Sequence, residues 1–303
     1  MTQALIEKIN KLKKDKNAVV LAHCYQHAEI DEVADFVGDS LYLSQAAAKT
    51  DADIIVFAGV SFMAETAKML SPDKKVLLPC KNAGCEMADM INLQQIRELK
   101  TKNPNIPVVC YVNSSAEVKS EADYCCTSSN ALKVVSAIGA KKVLFVPDRY
   151  LGSWVGNQLK DIEVITYNGF CPVHFGISAK DVIARKQENP DALVLAHPEC
   201  QKEVVELADY VGSTTGIMKF AKESDNKTFI ISTEIGVVER LERDCPDKKF
   251  VLVSQQAVCK NMKYHKLQDI YDALLNEQYE INVDENISKK AVKCIDRMLE
   301  ISK

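Results

Sequence analysis

Apolar and polar positions along the chain follow two alternating patterns. Short runs of aliphatic residues have the length of buried strands, and the longer segments between them repeat apolar residues every three to four positions. This alternation is typical of βαβ units, in which helices connect the strands of a parallel sheet. Strands are expected at 18–22, 54–58, 76–78, 107–111, 143–146, 164–167, 192–196, 229–232 and 250–253.

The helical period fills most of the remaining chain. Helices are expected at 41–49, 64–70, 129–138, 216–222, 266–277 and 286–301, with an amphipathic helix at the N-terminus. A short apolar run at 34–37 has equivalents later in the chain and adds a fourth strand to each group. The pattern therefore predicts an α/β protein with parallel sheets.

The pattern occurs three times, and polar residues occupy equivalent positions in every copy. The equivalent sets are His23, Tyr111 and His197 at the end of a strand, Tyr25, Asn113 and Glu199 two positions later, and Ser40, Ser128 and Thr214 before a helix. Packing makes apolar positions repeat, but it does not require polar positions to do so. Since ligands bind at the carboxyl ends of parallel strands, we interpret these residues as a binding site. Hydroxyl groups at helix starts should cap the helices and favour carboxylate or phosphate ligands.

The repeat divides the chain into three homologous αβα domains. We expect them at residues 1–104, 105–190 and 191–303, the last including the C-terminal helices. An Asn-Pro pair lies at each boundary, at 103–104 and 189–190, and each pair follows a polar helical stretch. Each copy is longer than a solenoid repeat, so each should form a small domain with its own core.

Composition and charge exclude several classes of function. The net charge of −4 argues against a nucleic-acid-binding surface. We expect no membrane association, because no apolar run approaches the roughly 20 residues that span a bilayer. The N-terminal helix lacks a signal-peptide core, which favours the cytoplasm, where structural disulfides are rare.

Cysteine is abundant, and three of the eleven cysteines recur at nearly equal intervals. Cys85, Cys171 and Cys259 each follow the last strand of a copy, so three thiolates can meet at one metal centre. There is no C-x-x-C motif, and the other eight cysteines are expected to be structural. A zinc ion, an iron–sulfur cluster and purely structural thiols all stay possible from these residues alone.

Several motifs resemble those of one known family, quinolinate synthase. They run in order along essentially the whole chain, and no motif position departs from the family pattern. The motifs are Ala22-His23-Cys24-Tyr25-Gln26, Gly38-Asp39-Ser40, Gly84-Cys85-Glu86-Met87-Ala88-Asp89-Met90, Tyr111-Val112-Asn113-Ser114, Asn168-Gly169-Phe170-Cys171-Pro172-Val173-His174, His197-Pro198-Glu199-Cys200 and Gly212-Ser213-Thr214-Thr215-Gly216.

The resemblance implies an activity in NAD biosynthesis. It implies a transferase or lyase type of synthase that condenses iminoaspartate (iminosuccinate) with dihydroxyacetone phosphate, giving quinolinate, phosphate and two waters. It also implies a [4Fe–4S] cluster whose open iron acts as a Lewis acid, and three domains around a pseudo-threefold axis. An oxidase that supplies iminoaspartate is a candidate partner.

Site residues carry over from the family motifs by position. Cys85, Cys171 and Cys259 are the implied cluster ligands. The implied substrate contacts are His23, Ser40, Tyr111, Val112, Asn113, Ser128, His197, Pro198, Glu199 and Thr214. Tyr25, Glu199, His23 and His197 are the implied catalytic residues. We expect Glu199 and Tyr25 to exchange protons with a substrate carbon or hydroxyl. We expect the pKa values of His23 and His197 to lie near the working pH.

Two other functions fit the same residues. One is a different hydro-lyase with a three-cysteine cluster that acts on a small dicarboxylate. The other is a zinc-stabilised protein that binds dicarboxylates without catalysis. Arg149, Lys219 and His174 are weaker candidates and are not assigned to the site.

Overall fold

Three parallel sheets of four strands form the framework of the protein. The computed structural model describes residues 2–303. The first domain comprises α1 (Thr2–Asp15), β1 (Ala18–His23), α2 (Ala28–Asp31), β2 (Phe36–Gly38), α3 (Ser40–Lys49), β3 (Ile54–Ala58), α4 (Ser61–Leu70), β4 (Lys75–Leu77) and α5 (Leu93–Lys102). The second comprises β5 (Val108–Tyr111), α6 (Ala116–Lys119), β6 (Tyr124–Cys126), α7 (Ala131–Ala137), β7 (Lys142–Val146), α8 (Arg149–Gln158), β8 (Glu163–Thr166), α9 (Pro172–Phe175) and α10 (Ala179–Glu188). The third comprises β9 (Leu193–Ala196), α11 (Lys202–Val205), β10 (Tyr210–Val211), α12 (Thr214–Glu223), β11 (Thr228–Ser232), α13 (Ile235–Asp244), β12 (Lys249–Leu252), α14 (Leu267–Asn276) and α15 (Glu285–Ile301).

The three sheets have the same strand order. They run β2-β1-β3-β4, β6-β5-β7-β8 and β10-β9-β11-β12, and every strand pair is parallel. The predicted α/β fold of three αβα domains with parallel sheets is therefore confirmed. The domain boundaries near residues 104 and 190 stay predictions, and they fall between α5 and β5 and between α10 and β9.

A repeated aspartate fixes the short outer strand of each sheet. The carboxylates of Asp35, Asp123 and Asp209 accept the backbone N–H of Val20, Val108 and Val194 at 2.7, 2.8 and 2.8 Å. Each aspartate also donates its own N–H to the carbonyl of the same valine. The outer strands have only two or three residues, so this side-chain bond compensates for a short ladder.

The hydroxyls of Ser40, Ser128 and Thr214 were expected to cap helices, but they do not. Asp39 and Ser213, one residue earlier, accept the N–H groups of Tyr42 and Gly216 and cap α3 and α12. In the second domain α7 begins only at Ala131, after the Asn130 cap position. Because these neighbours occupy the cap positions, the hydroxyls of Ser40, Ser128 and Thr214 are not needed for capping.

The C-terminal helices follow the last strand of the third domain in sequence, but they pack on the first two domains. Helix α14 lies against α1 and β3, while α15 lies against α4, α6, α7 and β6. The apolar stripe of α15, with Cys294 and Ile295, is fully buried in the core that the first two domains share. Within residues 2–303, no helix is both long enough and apolar enough to cross a membrane.

Candidate active site

A cavity of about 280 Å³ is lined by residues of all three domains. It lies at the carboxyl ends of the strands, where parallel sheets bind ligands. Its lining includes the predicted residues His23, Tyr25, Ser40, Cys85, Tyr111, Asn113, Ser128, Cys171, His197, Glu199, Thr214 and Cys259. Two predicted contacts, Val112 and Pro198, are buried next to these residues but do not belong to the cavity surface that residues 2–303 form. The repeat thus brings together almost all the polar positions that it singled out.

The three repeated cysteines lie at the start of similar turns. The carbonyl groups of Cys85, Cys171 and Cys259 each accept the backbone N–H four residues later, at 3.1, 2.9 and 3.2 Å. One-turn helices follow at Ala88–Met90, Pro172–Phe175 and Met262–Tyr264. All three side chains are free thiols that are half-buried, and each comes from a different domain. The same backbone geometry therefore presents one sulfur per domain to the cavity.

Buried carboxyl groups hold two of these three cysteine loops. Asp148 Oδ1 caps α8 through the Leu151 N–H at 2.7 Å, while Oδ2 accepts the Cys171 N–H at 3.2 Å. Glu234, the cap residue of α13, accepts the Cys259 N–H at 3.1 Å through Oε1. The equivalent residue in the first domain is Val60, the cap position of α4, which offers no side-chain oxygen. The loops of Cys171 and Cys259 are therefore tied to the scaffold in a way that the loop of Cys85 is not.

Burial keeps the three thiols protonated when no cation is near. It raises the pKa of Cys85 to about 12 and that of Cys259 to about 11, and it raises the pKa of Cys171 well above its usual value. The charges of the other repeated cysteines act in the same direction on Cys85 and Cys171. A bound metal centre would reverse this, because coordination deprotonates a thiol. Three free thiols that line one cavity are thus a suitable donor set for such a centre.

Two histidines present neutral N–H groups to the cavity. The backbone N–H of Tyr25 donates to His23 Nδ1 at 3.2 Å, and the N–H of Glu199 donates to His197 Nδ1 at 3.3 Å. An Nδ1 that accepts carries no proton, so the proton lies on Nε2, which in His197 is 3.2 Å from Ser128 Oγ. Burial lowers the pKa of His23 to about 4 and that of His197 to about 3. The expectation that both titrate near the working pH is therefore wrong.

Glu199 is a buried carboxylate surrounded by donors. Its Oε2 lies 2.7 Å from Nδ1 of His174 and 3.6 Å from Nδ1 of His197. Burial alone would raise the pKa of Glu199, but the His197 and His174 rings and the Tyr111 hydroxyl lower it overall. Glu199 is therefore an ionised acceptor inside the cavity.

Tyr25 is a buried phenol between two threonine hydroxyls. Its Oη lies 3.0 Å from Thr214 Oγ1 and 3.3 Å from Thr233 Oγ1. Burial raises the pKa of Tyr25 well above its usual value, and the nearby Cys24 and Glu199 act in the same direction. Tyr25 is therefore a protonated group that can donate to a ligand.

Two further polar side chains, Asp39 and Asn113, line the cavity. Asp39 Oδ2 accepts the hydroxyls of Ser129 at 2.6 Å and Thr215 at 2.5 Å, so it joins all three domains. Among the described residues, 2–303, nothing binds the buried Oδ1 of Asn113. Because an orphaned buried oxygen is unfavourable, Asn113 is oriented for an external donor.

His174 is the main residue of the site that the sequence analysis left unassigned. Its Nδ1 lies 2.7 Å from Glu199 and 3.2 Å from Cys171 Sγ, and its Nε2 lies 2.9 Å from Thr233. The spacing of three residues from Cys171 on a one-turn helix was the available signal.

The other two weak candidates do not line the cavity. Arg149 is hydrogen-bonded to Asn168 outside the cavity lining, and Lys219 is exposed. Thr233, Asp148 and Glu234 gave no signal, because their counterparts in the first domain are not polar.

Cys171, His174 and Glu199 also form a second candidate metal group. Their ligand atoms all lie within 4.8 Å of one another. A thiolate, an imidazole and a carboxylate together are a donor set that zinc accepts.

Comparison with known proteins identifies relatives of nearly the same length. The family model described as quinolinate synthetase A protein (NadA) matches residues 7–300. Quinolinate synthase of Alkaliphilus metalliredigens is 54% identical over 297 residues, which cover 98% of each chain. Quinolinate synthase of Thermodesulfovibrio yellowstonii is 48% identical over 301 residues, 99% of each chain. Quinolinate synthase 2 of Methanosarcina acetivorans is 50% identical over 298 residues, 98% of this chain and 96% of the relative. Because the family model matches almost the entire chain, the protein belongs to the quinolinate synthase family.

Proposed function

We propose that this chain condenses iminoaspartate with dihydroxyacetone phosphate to give quinolinate, phosphate and two waters. The reaction forms a carbon–carbon and a carbon–nitrogen bond, so the enzyme is a synthase of the transferase type. One observation carries the proposal: equivalent cysteines from three domains face the same cavity as equivalent rings, hydroxyls and a carboxylate. Family membership supports the same activity.

We propose Cys85, Cys171 and Cys259 as the ligands of a [4Fe–4S] cluster. Three thiolates leave one iron of such a cluster without a protein ligand. When bound, the cluster supplies a Lewis acid that assists the loss of hydroxide in the final dehydration. The donor set supports this proposal, because the three thiols are free and line one cavity.

The proposed substrate contacts match the charges of the substrates. Iminoaspartate carries two carboxylates and dihydroxyacetone phosphate carries a phosphate, so the site needs neutral and positive donors. The hydroxyls of Ser40 and Thr214 are not needed as caps, because Asp39 and Ser213 cap α3 and α12. Ser128 lies before α7, which begins only at Ala131. His23 and His197 add Nε2–H donors, which bind anions without a charge of their own. Val112 and Pro198, which are buried next to the cavity residues, stay proposed contacts.

Proton transfers are assigned to Glu199 and Tyr25. Forming the ring requires the removal of protons from substrate carbons and the protonation of leaving oxygens. Glu199 is the ionised acceptor, and Tyr25 is the protonated donor. The His174 ring, with Nδ1 at 2.7 Å from Oε2, lies next to the Glu199 carboxylate.

Anaerobic turnover tests the proposal. Protein purified without oxygen and reduced is incubated with iminoaspartate and dihydroxyacetone phosphate, and quinolinate and phosphate are measured together. We expect equal amounts of both products, and none from a Cys85→Ala variant. If the cluster-loaded protein forms no quinolinate under these conditions, the proposed reaction is rejected, and a hydro-lyase acting on a dicarboxylate alone becomes the better assignment.

The zinc-stabilised binding protein stays the second candidate, because Cys171, His174 and Glu199 could hold one ion. Metal analysis of the anaerobic protein separates the two. About one zinc and no iron would favour the binding protein, whereas iron with sulfide favours the enzyme.

We further propose that the protein works in the cytoplasm and receives iminoaspartate from an oxidase. All eleven cysteines are free thiols, a state that a reducing compartment maintains. A coupled assay tests the supply: the oxidase and its amino-acid substrate should replace added iminoaspartate. Failure of the coupled system alone would reject the partner and leave the reaction intact.

A further inference from the structure

The buried charges of the cavity lining do not match the charges of the proposed substrates. Iminoaspartate and dihydroxyacetone phosphate are both anions, but the buried acids Asp39 and Glu199 line the cavity. Burial lowers the pKa of His23 to about 4 and that of His197 to about 3, so these rings add no positive charge. Lys260 is the one lysine or arginine of the lining that residues 2–303 form, and it is exposed. Anions enter such a cavity at a high cost unless a buried cation lies near it.

Lys119, the last residue of α6, is a fully buried lysine next to the wall of this cavity. Its Nζ donates to the Ser114 carbonyl at 2.5 Å and lies 5.4 Å from the centre of the Phe62 ring. Phe62 lines the cavity, and Ser114 directly follows Asn113, which lines it too. The ammonium group therefore lies behind the part of the wall that Phe62 and Asn113 form.

No carboxyl group neutralises Lys119. Among residues 2–303, no aspartate or glutamate forms an ion pair with it, and the Ser114 carbonyl accepts one of its three N–H groups. Helix α15 covers this position, since Cys294 Sγ donates to the Lys119 carbonyl at 3.4 Å. Lysine is almost never fully buried without a partner, because its ammonium group loses its hydration. A buried cation in this state can attract an anion across a layer of side chains, where screening is weak.

The threefold repeat shows that the fold does not require a lysine at this position. The short helices α2, α6 and α11 are equivalent, and they end at Asp31, Lys119 and Val205. Asp31 forms an ion pair with Arg240 at 2.7 Å, and Val205 is half-buried and apolar. Two of the three copies therefore form the same helix without a buried cation, so the packing of the repeat does not explain Lys119.

We propose that Lys119 is the buried countercharge for the anionic substrates. Its ammonium group makes the side of the cavity at Asn113 and Phe62 positive, and an anion bound in the cavity supplies the negative charge that Lys119 lacks. Lys119 contacts neither substrate, so it acts on substrate binding and leaves the proton transfers of Glu199 and Tyr25 unchanged. The inference rests on the proposed function, because the substrates of that reaction are the anions concerned.

Three substitutions in the cluster-loaded enzyme separate the charge of Lys119 from its hydrogen bond. Lys119→Met removes both, Lys119→Gln keeps a donor for the Ser114 carbonyl without the charge, and Lys119→Arg keeps both. The KM for dihydroxyacetone phosphate and the dissociation constant of quinolinate, measured by calorimetry, should rise about tenfold in the methionine and glutamine variants, as expected for two charges across a layer of side chains. In the arginine variant both should stay within about threefold of wild type, and kcat should change less than about threefold in all three variants.

Thermal unfolding distinguishes this role from a structural one. Lys119→Met should unfold at the wild-type temperature or above, because an apolar side chain of similar length replaces an unpaired buried ammonium group. Val118→Ala is the matched control, since Val118 is the adjacent, fully buried residue of α6. It should lower the unfolding temperature and leave the KM and the dissociation constant unchanged. If Lys119→Met does not fold, the comparison of Lys119→Gln with Lys119→Arg decides.

The outcomes separate this inference from the proposed function. Wild-type enzyme that makes no quinolinate rejects the function itself. With active wild type, the inference is overturned if Lys119→Gln binds quinolinate as tightly as wild type, because the role of Lys119 would then be its hydrogen bond to Ser114. It is also overturned if Lys119→Arg loses as much affinity as Lys119→Gln.

Discussion

The side chain of Asp148 should hold the Cys171 loop in place, and the effect of removing it on stability can be given a magnitude. Asp148→Ala leaves two N–H groups without an acceptor, the buried one of Leu151 and the half-buried one of Cys171. Loss of a helix cap costs typically about 1 kcal/mol, and an unsatisfied buried donor costs about 1–3 kcal/mol. We therefore expect the free energy of unfolding to fall by about 2–4 kcal/mol. Asp148→Asn keeps one acceptor oxygen and should lose about half of that.

The assay combines stability with metal retention. Urea unfolding under anaerobic conditions measures the free energy, and iron per chain after desalting measures how firmly the loop holds its cysteine. Both quantities should fall in the order wild type, Asp148→Asn, Asp148→Ala. Asp161→Ala is the control, because Asp161 is exposed in the loop after α8 and should change stability by less than about 0.5 kcal/mol.

One result would refute the reasoning about Asp148. If Asp148→Ala unfolds at the wild-type urea concentration and retains wild-type iron, the two hydrogen bonds do not stabilise the loop. A loss of stability with full iron retention would limit the role of Asp148 to capping α8.

Alanine replacement of each proposed ligand, Cys85, Cys171 or Cys259, should abolish iron retention, whereas Cys294→Ala, in the buried stripe of α15, should retain iron; equal iron in all four variants would contradict the ligand set. Stability should also depend on pH through His23. Burial lowers the pKa of His23 from 6.5 to about 4, so between these values the unfolded chain binds a proton that the folded chain does not. Stability is therefore lost as pH falls through this window, by up to about 1.4 kcal/mol per pH unit, and His23→Gln should flatten the dependence in urea titrations at pH 6.5 and 5. An unchanged slope would show that His23 is not held neutral.

Strands were predictable because burial on both faces leaves continuous apolar runs. The run at 54–58 coincides with β3, and the other expected strands differ from the observed ones by about one residue at either end. Helix starts were less accurate: α4 begins at Ser61 instead of 64, α7 at Ala131 instead of 129 and α12 at Thr214 instead of 216. The docking of α15 on the first two domains depends on contacts between distant residues, and periodicity contains no information about them.

The cavity was predictable where the repeat made polar positions equivalent. His23 and His197 occupy matching positions and have the same Nδ1 contact to a backbone N–H. Residues without polar equivalents in the other domains were not predicted. Gly59 and Pro147 occupy the positions equivalent to Thr233, and no histidine occupies the positions equivalent to His174. The protonation states of the histidines were also wrong, because burial decides them and a motif does not report burial.

The most direct test of the account is an iron and sulfide count with an absorption spectrum of the anaerobically purified chain. Three thiols that share one centre predict about four irons and about four sulfides per chain, a brown colour that bleaches in air, and loss of all of these in the Cys171→Ala variant. A colourless protein that contains zinc, or iron that persists without Cys171, would contradict the claim that the three domains hold one cluster.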